Sequence, residues 1–301
     1  MHAIGANTWI WVSPLTDAGL SELAPRIRDW GFDLIELPLE HPSDLDPGRA
    51  ADLLAELDLG ASVCVAMSED RTLISEDRDV TEATQAYLRA CVDLAARVGG
   101  DVPAGPIVGG PIYAPVGQAW RASAEERRGC LSRLVEGLKP VAAYAGEHGV
   151  RLAIEPLNRF ETSLLNTFDQ VLEVLTMLDS PACGVLAVTF HMNIEEKSVV
   201  EAIRSARGQL VHVQACGNDR GAPGADHVDW LAFAGALAEV GYAGAICIES
   251  FTPDNQSIAR AASIWRSLAP SQDAIAVDGL AFLRKLFEGI GTADRDGSAT
   301  V

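Results

Sequence analysis

Short apolar runs alternate with longer stretches whose apolar positions recur every three to four residues, and the alternation continues along most of the chain. The short runs predict strands over 4–11, 33–39, 61–66, 150–156, 183–189, 210–215 and 245–249, with a Gly-rich fourth strand and its exit loop over 106–113. The stretches between them predict helices over 20–30, 47–57, 80–97, 124–148, 168–178, 199–206 and 230–240, with further helical segments to about residue 288. Gly31 stops the first helix. Pro47 opens the second, in the turn where its missing N–H costs nothing. Strands alternating with helices imply a parallel sheet, and eight such units close into a single (β/α)8 TIM barrel. A doubly wound open sheet is the other arrangement, but no G-x-G-x-x-G follows the first strand. One domain over 1–290 is expected, with a flexible tail over 291–301.

Composition narrows the function classes. The chain has 301 residues, 48% of them hydrophobic, enough for one large core. Its 42 acidic and 23 basic side chains give a formal net charge of -19. That balance speaks against nucleic acid or an anionic membrane as a partner, because both require a basic footprint. The six cysteines are dispersed, without a C-x-x-C pair, and read as reduced residues of a cytoplasmic protein. The N-terminus lacks the pattern of a signal peptide, and no apolar run has the length of a membrane span.

In a barrel the chemistry sits at the C-terminal ends of the strands. The fifth strand delivers Glu155 and stops at Pro156, with Asn158, Arg159 and Glu161 in the loop that follows. The sixth ends in Val188, Thr189 and Phe190, followed by His191. The seventh carries His212 and Gln214, with Arg220 beyond it, and the eighth delivers Glu249. Strands five and eight place Glu155 and Glu249 on opposite sides of one mouth. Two carboxylates and an amide oxygen suit a hard divalent cation, and paired carboxylates in one pocket also suit acid–base work. Each residue has a plainer reading. Glu155 belongs to an Arg–Glu ion pair at a strand end, His191 and Arg220 are surface loop residues, and His212 is a satisfied core histidine.

The motifs GANTWIW, VGGPIYAP, EPLNRFETSLLNT, TFHMNIEE, GNDRGAPG and IESFTP span nearly the whole chain in order. With them the chain resembles the sugar phosphate isomerase/epimerase family of xylose isomerase-like TIM barrels, most of all the ketose 3-epimerases of the D-tagatose/D-psicose type. The resemblance implies an isomerase of carbohydrate metabolism that abstracts a proton next to the carbonyl of a ketose-like sugar, with Mn²⁺ (or Mg²⁺ or Co²⁺) polarising oxygen. Glu155 and Glu249 match the glutamates that bind the metal and move the proton. Glu161, His191 and Arg220 match residues that hold substrate oxygens, and Gly109, Gly110 and Pro111 match a backbone wall of the sugar pocket. A homodimer or homotetramer is implied.

Two positions depart from the family pattern. Gln214 stands where a histidine is common, and keeps a neutral oxygen donor. Val188 stands where the family's aspartate is a metal ligand, leaving Glu155, Gln214 and Glu249 as a weakened or absent cation site. Three functions follow. The first is a sugar isomerase or epimerase with Glu155 and Glu249 as the acid–base pair. The second is a lyase or C-glycoside-cleaving enzyme, possible without metal, with Trp9, Trp11, Tyr113 and Trp120 lining an aromatic-accepting mouth. The third is a non-catalytic sugar-binding barrel.

Overall fold

The computed structural model describes residues 2–99, 105, 107–110, 114 and 124–296. Parallel strands β1 (Ile4–Asn7), β2 (Leu34–Leu39), β3 (Gly60–Val65), β4 (Ile107–Gly109), β5 (Arg151–Ile154), β6 (Cys183–Val188), β7 (Leu210–Ala215) and β8 (Ile246–Ile248) form a closed barrel in sequence order. The ring closes where β1 pairs with β8, Gly5 opposite Cys247. Apart from the first residues of β3 and β5, the strand residues whose burial is described are buried, as expected for a sheet with helices outside and side chains filling the interior.

Helices α1 (Asp17–Asp29), α2 (Pro47–Glu56), α3 (Arg78–Val98), α4 (Ala124–Glu147) and α5 (Phe168–Leu178) follow the first five strands. Their starts are written locally. The side chains of Thr16, Asp46 and Asp77 accept backbone N–H groups at the first turns of α1, α2 and α3, and Thr167 with Gln170 forms a capping box on α5. After β6 come α6 (Thr189–Glu195) and α7 (Val199–Ser205), then α8 (Trp230–Glu239), α9 (Gln256–Ala261) and α10 (Gln272–Asp296). No helix among the described residues is long and apolar enough to cross a membrane.

Three elements differ from the sequence expectation. β1 ends at Asn7 rather than residue 11, because the Asn7 side chain accepts the Trp9 N–H at 2.9 Å and turns Thr8–Ile10 into a 3-10 turn. The segment after β6 is α6 rather than a loop, beginning directly at Val188 with no Gly or Pro between strand and helix. α10 continues to Asp296, six residues into the stretch expected as a tail, and 297–301 lie outside the described residues. All six cysteines are buried and unpaired, as core residues would be.

Candidate active site

Glu155 follows β5 directly, and Pro156, which has no N–H to give, ends the pairing there. The loop beyond folds onto itself: Leu157 N–H donates to Leu165 O at 3.1 Å, and Asn166 Nδ2 donates to Leu157 O at 2.8 Å. Arg159 pairs with Glu195 on α6 at 2.9 Å, so its partner is neither Glu155 nor Glu161. The plainer reading of Glu155 as half of a local ion pair with Arg159 is therefore wrong. Gly110, at φ +61°, presses against the carboxylate; a Cβ there would meet Glu155 Oε2 at 2.8 Å.

His191 and Arg220 are not surface residues. They are 1% and 3% exposed. α6 turns His191 inward, and Asn158 sets its tautomer. The Asn158 backbone N–H and Nδ2 approach His191 Nδ1 at 3.1 and 2.9 Å. A backbone N–H can only donate, so Nδ1 accepts, and the ring proton of the neutral imidazole sits on Nε2. Burial, reinforced by the Arg220 charge, pushes the His191 pKa down to about 3, so the ring stays neutral. Nε2–H faces Glu155 Oε1 at 3.2 Å. Asn158 also donates to Glu161 Oε1 at 2.7 Å, which ties the second loop carboxylate to the same frame.

Arg220 adopts φ +70°, a costly conformation for a residue with a Cβ, and its carbonyl is held there by Phe251 N–H at 3.0 Å. The guanidinium lies between the rings of Phe190 and Phe251, at 4.2 and 4.6 Å. Its Nη1 donates to Glu249 Oε2 at 2.7 Å. Its Nη2 stands 3.0 Å from His191 Nε2. Both of those nitrogens carry hydrogen, so two donors stand side by side and can serve a single acceptor oxygen. Burial works against the charge of Arg220, but Glu249 together with Cys216, Glu161 and Glu155 outweighs it and raises the pKa, so the group stays cationic.

Glu155 and Glu249 are both pushed up to about 8. The main cause is burial, which Arg220 opposes and the charge of other carboxylates reinforces. Glu155, Glu249, Glu161, Arg220 and Gly110 line one cavity of about 340 Å³. Trp9 lines it too. Trp11 does not: its Nε1 donates to Asp273 at 2.8 Å and its ring stacks on Trp30. The expectation that Trp11 lines the mouth is therefore corrected. Pro111, Tyr113 and Trp120 lie outside the described residues.

Beneath the mouth is a polar cluster that the sequence reading missed. Glu36 on β2, 1% exposed, accepts from Asn7 Nδ2 (2.8 Å), Ser62 Oγ (3.0 Å), His212 Nε2 (2.7 Å) and Gln214 Nε2 (2.6 Å). His212 is thus the satisfied core histidine foreseen. A lone acid inside the apolar run Leu34-Ile35-Glu36-Leu37 is the signal that would have revealed the hub. Gln214 Oε1 is buried with no hydrogen-bond partner among the described residues. Val188, opposite Gln214 in register, packs with Ala153, Leu186 and Val211.

The sequence profile of the xylose isomerase-like TIM barrel family matches residues 25–286. The chain belongs to that family. A Synechocystis sp. protein named "Probable ketose 3-epimerase" is 33% identical over 287 residues, covering 94% of this chain and 96% of its own. An L-ribulose 3-epimerase of Mesorhizobium japonicum is 33% identical over 288 residues, with 94% and 93% covered. A solved structure of an L-ribulose 3-epimerase superimposes with a TM-score of 0.89 at 32% identity, over 99% of both chains. These similar proteins are isomerase-class enzymes that act on sugars, and this member of the family stands among them.

Proposed function

We propose that this chain is a ketose 3-epimerase in which Glu155 and Glu249 move a proton on and off the carbon next to a ketone carbonyl. The observation that carries this is the carboxyl pair itself. Two glutamates, Glu155 partly buried and Glu249 buried, follow strands three places apart in the ring and line one 340 Å³ cavity. One carboxylate takes the C3 proton. The C–H electron pair becomes the C2–C3 double bond, and the carbonyl π pair moves onto O2, giving an enediolate. The other carboxyl group then returns a proton to C3 from the opposite face, so the configuration inverts and no atom is gained or lost.

The surroundings support each step. Burial raises both carboxyl pKa values, so one of the pair retains the proton that the return step needs near neutral pH. The paired donors His191 Nε2–H and Arg220 Nη2 suit the oxygen on which negative charge develops. A neutral His191 donates without competing for the C3 proton. Glu161, held by Asn158, is placed to accept a neighbouring hydroxyl. The cavity wall also carries Glu40, so Glu40, Glu155, Glu161 and Glu249 face one arginine. That excess of carboxylate favours an uncharged sugar over a phosphorylated one.

The residues present fit a divalent cation. Gln214 Oε1 is a buried acceptor without a partner among the described residues, and Glu155 and Glu249 are carboxylates whose charge burial penalises. Glu155, Gln214 and Glu249 would hold it, Mn²⁺ by resemblance or else Mg²⁺ or Co²⁺. When bound it supplies Lewis-acid polarisation of a substrate oxygen. Val188 offers no lone pair, so the centre is weaker than one with a third carboxylate. The buried, unpaired cysteines support a cytoplasmic setting, and exposed Leu231 beside the apolar groove of Trp230 and Phe282 supports a homodimer or homotetramer.

The test is conversion of L-ribulose and D-psicose to their C3 epimers, followed by chromatography with Mn²⁺ present. The wild-type chain converts at least one of them. Glu155→Gln and Glu249→Gln each lose roughly 10²–10⁴-fold in kcat, the usual weight of positioned acid–base groups. Full activity in either variant would remove that residue from the proton path.

A further inference from the structure

Glu36 takes no part in the proton transfer just described, and it is not among the side chains lining the cavity. It is nonetheless the most heavily bonded carboxylate of the barrel interior, accepting four hydrogen bonds from β1, β3 and β7. A carboxylate offers about four lone-pair positions, and here all are used. With a donor on every one of those positions, Glu36 acts here only as an acceptor.

Glu36, His212 and Cys247 bring potential ligand atoms within 4.8 Å of one another, the spacing of a metal cluster. Two facts speak against an ion there. The lone pairs of Glu36 are already engaged. The Cys247 thiol is held protonated, first by burial and then by the neighbouring Glu36 charge.

The consequence of the hub lies at Gln214. An amide side chain can be turned either way about its last bond, and only its partners decide which end is nitrogen. The partner here is an acceptor-only carboxylate at 2.6 Å, so the end facing Glu36 is the NH₂. The oxygen is then necessarily the other end, and it is the atom left buried without a partner among the described residues. Leaving a buried acceptor unmet costs on the order of 1–3 kcal/mol, which marks the position as one kept for a ligand.

We propose that Glu36 is a positioning residue whose carboxylate fixes the Gln214 amide so that Oε1 is the third oxygen donor to a divalent cation held with Glu155 and Glu249. The role rests on the cation centre described above. Val188 gives it weight: with no oxygen from β6, a turned amide would present N–H to the cation and leave two protein donors. The device parallels the carboxylates that orient histidine ligands from behind.

The test is Mn²⁺ binding to chelator-treated protein, read by the electron paramagnetic resonance of free Mn²⁺, with no turnover involved. The variants are Glu36→Gln, Glu36→Asp, Gln214→Ala and Glu36→Gln combined with Gln214→Ala. Glu36→Gln lets the Gln214 amide turn, and affinity falls roughly 10–100-fold, the usual range for such outer partners. Gln214→Ala loses a similar factor, and the double variant loses no more than Gln214→Ala alone. Should Glu36→Gln not fold, Glu36→Asp keeps the charge among its donors but withdraws it by one methylene, and its affinity falls by a smaller factor at an unchanged circular-dichroism spectrum. Unchanged affinity in the folded Glu36 variants, or losses that simply multiply in the double variant, overturns the positioning role and leaves the cation centre standing. A wild-type chain that binds no Mn²⁺ overturns the centre itself, and the positioning role with it.

Discussion

Glu155 and Glu249 have folded pKa values raised to about 8, whereas the ordinary carboxyl value is 4.5. In the metal-free protein each therefore keeps its proton in the folded state over a window where the unfolded chain has lost it. Stability falls as pH rises through that window, because there the folded state binds more protons. A cation takes the place of the proton, so Mn²⁺ should raise Tm more at pH 8 than at pH 5.5 in differential scanning fluorimetry; an equal or reversed effect would contradict the pair's assignment. Val188 permits a second measurement. Val188→Asp places a carboxylate among Ala153, Leu186 and Val211, so the variant should lose stability in chelator and recover it with Mn²⁺, with affinity raised on the order of tenfold or more. An unchanged affinity would mean that β6 does not reach the cation. The two strand-end glutamates were legible in the sequence because each follows an apolar run, where an idle acid is costly. Glu36 obeys the same logic, but it sits inside its run and its partners come from three other strands, so nothing local revealed them.

β6 passes into α6 at Val188 without an interrupting residue, and this transition turns His191 inward against Asn158. The sequence showed the strand and the motif but not the helix, since seven residues are too few for periodicity to register. β1 was read four residues too long for a related reason: apolar Trp9–Trp11 continues the pattern while the Asn7 side chain bends the backbone away. The strand positions around the rest of the ring were legible because both-face burial demands continuous apolar runs. The exit of β4 offers a test at this scale. Gly110 combines φ +61° with contact on Glu155 Oε2. Gly110→Ala should cost about 1 kcal/mol of stability through the backbone. It should also displace the carboxylate, lowering kcat on the order of 10²-fold. Unfolding curves and steady-state kinetics separate the two, and an unaffected kcat would show that the glycine serves only the turn.

Closure of the barrel brings β5 and β8 to one cavity from opposite sides, although Glu155 and Glu249 stand 94 positions apart in the sequence. That convergence was readable only through the eight-unit alternation, which says where strand ends meet, and not through spacing along the chain. The direct partners across the mouth depend on side-chain reach and on a left-handed backbone at Arg220 that no sequence pattern announces: the Arg220–Glu249 bond, the Phe190 and Phe251 rings, and the two donors meeting at His191. The chain's excess of acid, a net charge of -19, recurs in the cavity lining, and the proposal of an uncharged sugar rests on that lining. The central claim is that Glu155 and Glu249 exchange a proton at C3 of a ketose, and hydrogen exchange with solvent measures it directly. In deuterium oxide with Mn²⁺, wild-type chain incubated with L-ribulose or D-psicose should place deuterium at C3 alone, read by nuclear magnetic resonance, and Glu155→Gln or Glu249→Gln should slow incorporation by roughly 10²–10⁴-fold. Deuterium at another carbon, none at C3 in either sugar, or undiminished incorporation in the variants would contradict it.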